Sequence, residues 1–140
     1  MEGNEQDKQA ERPEALRPEE LKERLSYWQR VLRLQDWLIH VEMVDSDEID
    51  NNSGECQVHQ HTKTVVIKLI KPEAFNRTSA FSKNFPNNLD VEITLVHELL
   101  HVPFDGLFVE DDDDEIREER EEQAIELLAQ ALVRLDRGQV

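Results

Sequence analysis

The segment His97-Glu98-Leu99-Leu100-His101 sets two imidazoles four residues apart, with a carboxylate beside the first. On a helix, that spacing puts both rings on one face, one turn apart, within reach of a single zinc ion. Glu98 sits off that line. The offset suits a general base acting on a water that the metal activates better than it suits a ligand. The chemistry this arrangement serves is hydrolysis of a peptide bond. The flanking Thr94, Leu95, Val96, Leu99, Leu100 and Val102 are all uncharged. Two histidines and a glutamate would therefore be buried without an evident protein partner, a cost that a metal ion removes.

A catalytic zinc takes three protein ligands and keeps one position open. No histidine follows His101, and Phe104 and Leu107 stand where a metzincin has Gly and His. The third ligand is thus a carboxylate or an upstream histidine. Glu118 and Glu122 extend the apolar line of Ile125, Ala129 and Leu132 at spacings of three and four, which turns these carboxylates toward the core. Glu122 is the first choice for the ligand, followed by Glu126, Glu121 and Glu118. His59 and His61 share one strand face opposite Val58, where they could touch substrate or stabilise an oxyanion. His40, Tyr27, Trp28, Trp37 and Cys56 read as surface or packing residues. The run Asp111 to Asp114 lacks the spacing and the glycine of a calcium loop.

The elements that must position these groups follow from periodicity. Leu21, Leu25, Trp28, Val31 and Leu32 repeat near 3.6 and predict a helix from Pro18. Trp37, Ile39, Val41 and Met43 alternate with Leu38, His40, Glu42 and Val44, which predicts a strand with its odd positions inward. Cys56 and Val58, then Val65 to Ile70, predict a hairpin, so the expectation is a three-stranded antiparallel sheet. Lys71 to Asn88, with two prolines, reads mostly as an irregular loop. Asp90 caps a buried helix running to about Val102, where Pro103 favours a stop. The last helix carries Ile125, Leu128, Ala129, Leu132 and Leu135. Residues 1–17 are polar and predict a disordered acidic tail, and 18–140 a single domain.

The chain has 140 residues, enough for one domain with a real core. Its 16 Lys and Arg against 32 Asp and Glu give a formal charge of −16, which repels nucleic-acid phosphate and favours a basic peptide or protein as substrate. Half of that charge, a net −8, sits between Glu110 and Glu122. No apolar run is long enough to span a membrane and the first 20 residues are polar, so the expected location is the cytoplasm. Cys56 is the only cysteine, which excludes an internal disulfide and a cysteine-based zinc site.

HELLH followed by Glu122-Gln123-Ala124-Ile125-Glu126-Leu127-Leu128-Ala129 resembles the gluzincin-like peptidases of the ImmA/IrrE kind. In those, a glutamate on a following helix is the third zinc ligand, and the resemblance implies that it is Glu122. The stretch Leu32-Arg33-Leu34-Gln35-Asp36-Trp37-Leu38-Ile39-His40-Val41 is similar to the opening of small metallopeptidases of bacteriophages and prophages. Pro103 departs from the wider pattern. The expectation is an α+β, zincin-like domain that hydrolyses peptides with Zn2+ on His97, His101 and Glu122 and with Glu98 as general base. Such two-histidine, one-carboxylate sites accept several divalent metals. The rival expectation, from composition alone, is a non-catalytic acidic interaction protein: a nucleic-acid mimic, or a zinc-containing domain that binds peptides without cleaving them.

Overall fold

The computed structural model of the chain describes residues 16–49, 52–77, 89–105 and 115–139. The expected tail lies almost wholly outside these residues; of its last two, Leu16 is buried against the core. Helix α1 (Pro18–Val31) begins with proline, whose missing N–H costs nothing in the first turn, and buries Leu21, Leu25 and Trp28. Strand β1 (Leu38–Val44) follows, then a single 3-10 turn (Ser46–Ile49) and the hairpin of β2 (Gly54–His59) and β3 (Thr64–Ile70). Helix α2 (Pro72–Arg77) occupies part of the segment expected to be irregular and buries Ala74 and Phe75. The remainder of that loop, 78–88, lies outside the described residues, as does the aspartate run 111–114.

The architecture is α+β, with a sheet that is mixed where a purely antiparallel one was expected. The strand order is β1-β3-β2: β1 runs parallel to β3 (Leu38↔Thr64 to Val44↔Ile70), and β2 antiparallel to it (His59↔Thr64, Gly54↔Leu69). The physical reason lies in β3. Its Val65, Ile67, Leu69 and Ile70 are all buried, so it takes the centre, while β1 keeps Leu38, His40 and Glu42 exposed at an edge.

Helix α3 (Val91–Phe104) packs on β2 and β3 and is buried over most of its circumference, with Val91, Leu95, Val96, Leu99, Leu100 and Val102 in the core. The Asp90 carboxylate accepts from the Ile93 N–H at 3.2 Å, the expected cap. The helix continues two residues beyond Val102, because Pro103 falls in the last turn, where its missing N–H forfeits a single bond and Asp105 N–H still reaches the His101 carbonyl at 2.8 Å. Helix α4 (Glu115–Asp136) lies on α3 through Ile125, Ala129 and Val133. Leu128 and Leu135, expected inward, are 43% and 60% exposed, because the inward line advances by fours onto Val133. Among the described residues, no helix is long and apolar enough to cross a membrane.

One ion-pair network ties the three long helices together. The buried Glu92 carboxylate accepts from Arg24 Nε at 2.6 Å, Trp28 Nε1 at 2.7 Å and Arg137 at 3.2 Å. Arg137 also donates to Asp90 at 2.6 Å, and Arg24 and the Tyr27 hydroxyl both donate to Asp136. Among the described residues, no buried side-chain nitrogen or oxygen lacks a partner. Replacing Glu92 with Ala leaves the Trp28 indole N–H without its acceptor and takes from Arg24 and Arg137 one of the two carboxylates that each holds. We expect a loss of about 3 kcal/mol, read as a drop of roughly 1.5 M in the urea midpoint.

Candidate metal centre

Helix α3 directs His97 and His101 toward α4, with ring centroids 5.2 Å apart. Between them comes Glu122 of α4. Its Oε2 lies 3.1 Å from His97 Nε2 and its Oε1 lies 3.0 Å from His101 Nε2. On its other side, His97 Nδ1 meets Glu126 Oε2 at 2.7 Å, and Glu126 Oε1 accepts from Gln130 at 3.1 Å. Glu126 and Glu122 only accept, so His97 is either charged and donates from both ring nitrogens or neutral with one nitrogen free for a cation. His101 Nε2 meets the same Glu122 carboxylate at 3.0 Å, so two imidazole nitrogens converge on one carboxylate.

The spacing is one that a zinc ion could use. Donors about 2.0–2.1 Å from a tetrahedral ion stand roughly 3.3 Å apart, close to the separations of Glu122 from the two rings. Glu126 on Nδ1 stands where an outer carboxylate would orient His97 if the ring held a metal. One donor atom each of His97, Glu98 and His101 also falls within a 4.8 Å group. Glu98 approaches His101 Nε2 only to 3.8 Å, whereas Glu122 approaches it to 3.0 Å.

The electrostatics divide the two histidines. Burial works against a charge on His97, but the Glu126 hydrogen bond and the carboxylates of Glu98, Glu126 and Glu122 outweigh it and hold His97 above its usual value. His101 is lowered, by burial first and by His97 beside it, with Glu122 opposing. Glu126 is lowered by its bond to His97. Burial pushes the Glu98 carboxyl up to about 7, near the ideal for a group that must both take and give a proton at neutral pH. Burial also raises the Cys56 thiol to about 12, which keeps it neutral and a poor competitor for the metal.

The raised Glu98 value has a stability signature in metal-free protein. The folded state holds this proton up to about 7 and the unfolded state only to 4.5, so stability declines as pH rises between those values. At pH 8 the buried carboxylate costs on the order of 2 to 3 kcal/mol, and at pH 4.5 almost none. Chelator-treated Glu98→Gln is therefore expected to withstand more urea than wild type at pH 8 and to lose most of that advantage at pH 4.5. Equal midpoints at pH 8 would contradict the burial of this group.

An open cleft of about 1270 Å³ runs past the centre, with α3 as its floor, Gly54, Cys56 and Val58 of β2 on one wall, and Glu126, Gln130 and Arg134 of α4 on the other. Gly54 is needed where β2 crosses the helix. A Cβ there would lie 2.8 Å from Thr94 Cγ2 and 3.2 Å from Glu98 Cγ. His59 and His61 do not reach the site. Both are exposed at the hairpin end, and since the cleft lies on the Val58 side, strand alternation turns His59 away from it. Of the alternative ligands, Glu126 holds the outer nitrogen of His97, while Glu121 and Glu118 bond to neither histidine. The orienting role of Glu126 was not read from the sequence, although its spacing of four from Glu122 marks the same helix face. The bond from Gln60 to Asp105, at 2.7 Å, which ties the hairpin to the end of α3, has no sequence signal. No family model matches the chain, and no curated protein and no solved structure matches it.

Proposed function

We propose that the protein is a zinc-dependent peptidase of gluzincin-like design. The observation that carries the reading is the placement of the Glu122 carboxylate 3.0–3.1 Å from both inward-facing Nε2 atoms, with the buried Glu98 alongside. His97, His101 and Glu122 would hold the ion, and Glu126 would orient His97. The ion, when bound, supplies Lewis acidity and brings the pKa of water down to about 7. Glu98 takes the proton of the attacking water and returns it to the leaving amine nitrogen. Among the described residues β2 pairs only with β3, and its outer edge is where an extended peptide lying in the cleft would add. The charge of −16 favours a basic substrate, and the single cysteine suits a reducing, cytoplasmic setting.

A mixed library of unstructured, Lys- and Arg-rich peptides, read by mass spectrometry, tests the proposal. Cleavage is expected with zinc, lost with chelator and restored by zinc. Intact peptides in every condition, together with partner capture that fails in about 0.5 M salt, would favour the acidic interaction protein.

A further inference from the structure

The cleft past the metal centre is graded in charge along its length. At four-residue steps, Glu122, Glu126, Gln130 and Arg134 make one row on the α4 wall, and all four line the cleft. The two glutamates meet His97, and Gln130 donates to Glu126 at 3.1 Å. Arg134, at the end of the row, is exposed, and among the described residues no carboxylate pairs with it. Its neighbour Arg137 is held by Asp90 at 2.6 Å and by Glu92 at 3.2 Å. Arg134 is thus the one guanidinium lining the cleft, among the described residues, whose charge is left for a ligand. The other end is acidic. Glu121, next to Glu122, and Asp105, four residues past His101, both line the cleft, and neither pairs with a cation among the described residues. Glu122 meets His101 while Arg137 meets Asp90, so α3 and α4 run antiparallel and the two charges lie at opposite ends.

We propose that the cleft takes a peptide segment carrying a carboxylate and a cationic group, with the carboxylate on Arg134 and the cation against Glu121 and Asp105. A guanidinium binds a carboxylate through two parallel N–H donors, which makes Arg134 selective as well as attractive. The spacing follows from the helix. At 1.5 Å per residue, Arg134 stands about 20 Å along α4 from Glu121, which roughly six extended residues span. The metal centre lies near the acidic end, so the bond held there is about four to five residues from the carboxylate. The chain's net charge of −16 alone asks only for a cationic peptide, and Arg134 adds the second requirement. Because the cleft is open to water, the pair is worth about 3- to 5-fold in affinity. The inference rests on the reading of the cleft as a peptide site, though not on cleavage.

Calorimetric titration of short peptides into the zinc-loaded Glu98→Gln variant tests it, with cleavage of the same peptides by zinc-loaded wild type as a second readout. Each peptide carries one Lys and, about six residues away on either side, Asp or its neutral match Asn. A further pair ends at that distance as a free acid or an amide. Asp is expected to bind about 3- to 5-fold tighter than Asn, with the advantage lost when it stands next to the Lys. In the same background, Arg134→Gln should erase the difference and Arg134→Glu should reverse it, with zinc content unchanged; both substitutes are helix formers at an exposed position. A gain seen only with the free acid assigns Arg134 to a chain terminus, and one seen only with Asp to a side chain. A carboxylate preference without any cleavage would keep this inference and sink the peptidase reading. Cleavage with no such preference, or with one that Arg134→Glu leaves unchanged, would overturn the inference and keep that reading. Peptides neither bound nor cut would overturn both.

Discussion

Glu98→Gln is expected to lower peptide turnover by about 10²- to 10⁴-fold, the usual contribution of a positioned general base, while zinc content stays that of wild type. The separation follows from geometry. Glu98 stands 3.8 Å from His101 Nε2, outside the two 3.0–3.1 Å contacts that Glu122 makes with the rings, so removing its charge is expected to spare the proposed ligand set. Glutamine has the same shape and reaches the same place, but cannot accept a proton at neutral pH. The burial that raises Glu98 to about 7 also means that wild-type rate should climb with pH as this carboxyl ionises. The Gln variant should lack that limb. Undiminished turnover in the variant would remove Glu98 from the mechanism.

The second large effect is on the metal. Structural zinc sites bind with about 10–16 kcal/mol shared among four ligands, so one ligand carries roughly 3 kcal/mol, two orders of magnitude or more in affinity. Glu122→Ala is expected to lose zinc to that extent and to emerge from dialysis largely empty. Glu126→Ala removes only the acceptor at His97 Nδ1 and is expected to weaken binding by about 10- to 100-fold while still loading one ion per chain when zinc is supplied. A competition titration against a chromophoric chelator gives both numbers. Equal losses would mean that the two carboxylates share the ligand role.

The contrast between what the sequence reveals and what it conceals follows from the reach of each physical signal. Asp90, the apolar helix behind it and the four-residue spacing of His97 and His101 are local, and each can be read within a single turn. The sheet is not local. Period-two alternation looks the same in parallel and antiparallel strands, and the hairpin spacing fixes only β2 against β3. The place of β1 depends on which strand is central, and the signal for that was the run Val65 to Ile70, apolar but for Lys68 and more so than an edge strand needs to be. For His59 and His61, alternation established their shared face but not which face α3 would cover. Helix α4 was ambiguous for a different reason. With leucines around most of its circumference, the choice of Val133 over Leu128 and Leu135 was made by packing on α3 through the small Ala129. Glu122 was legible as a ligand candidate because its register is set by Ile125 and Ala129. The role of Glu126 at the second nitrogen of His97 emerged only once the two helices were seen together.

Zinc K-edge X-ray absorption of the untagged, zinc-loaded, dialysed protein decides whether His97, His101 and Glu122 hold a zinc ion. About one ion per chain is expected, with nitrogen and oxygen donors only, two of them imidazoles, at about 2.0–2.1 Å. A sulfur shell near about 2.3 Å, which only Cys56, Met1 or Met43 could supply, or no retained zinc to measure, would contradict it.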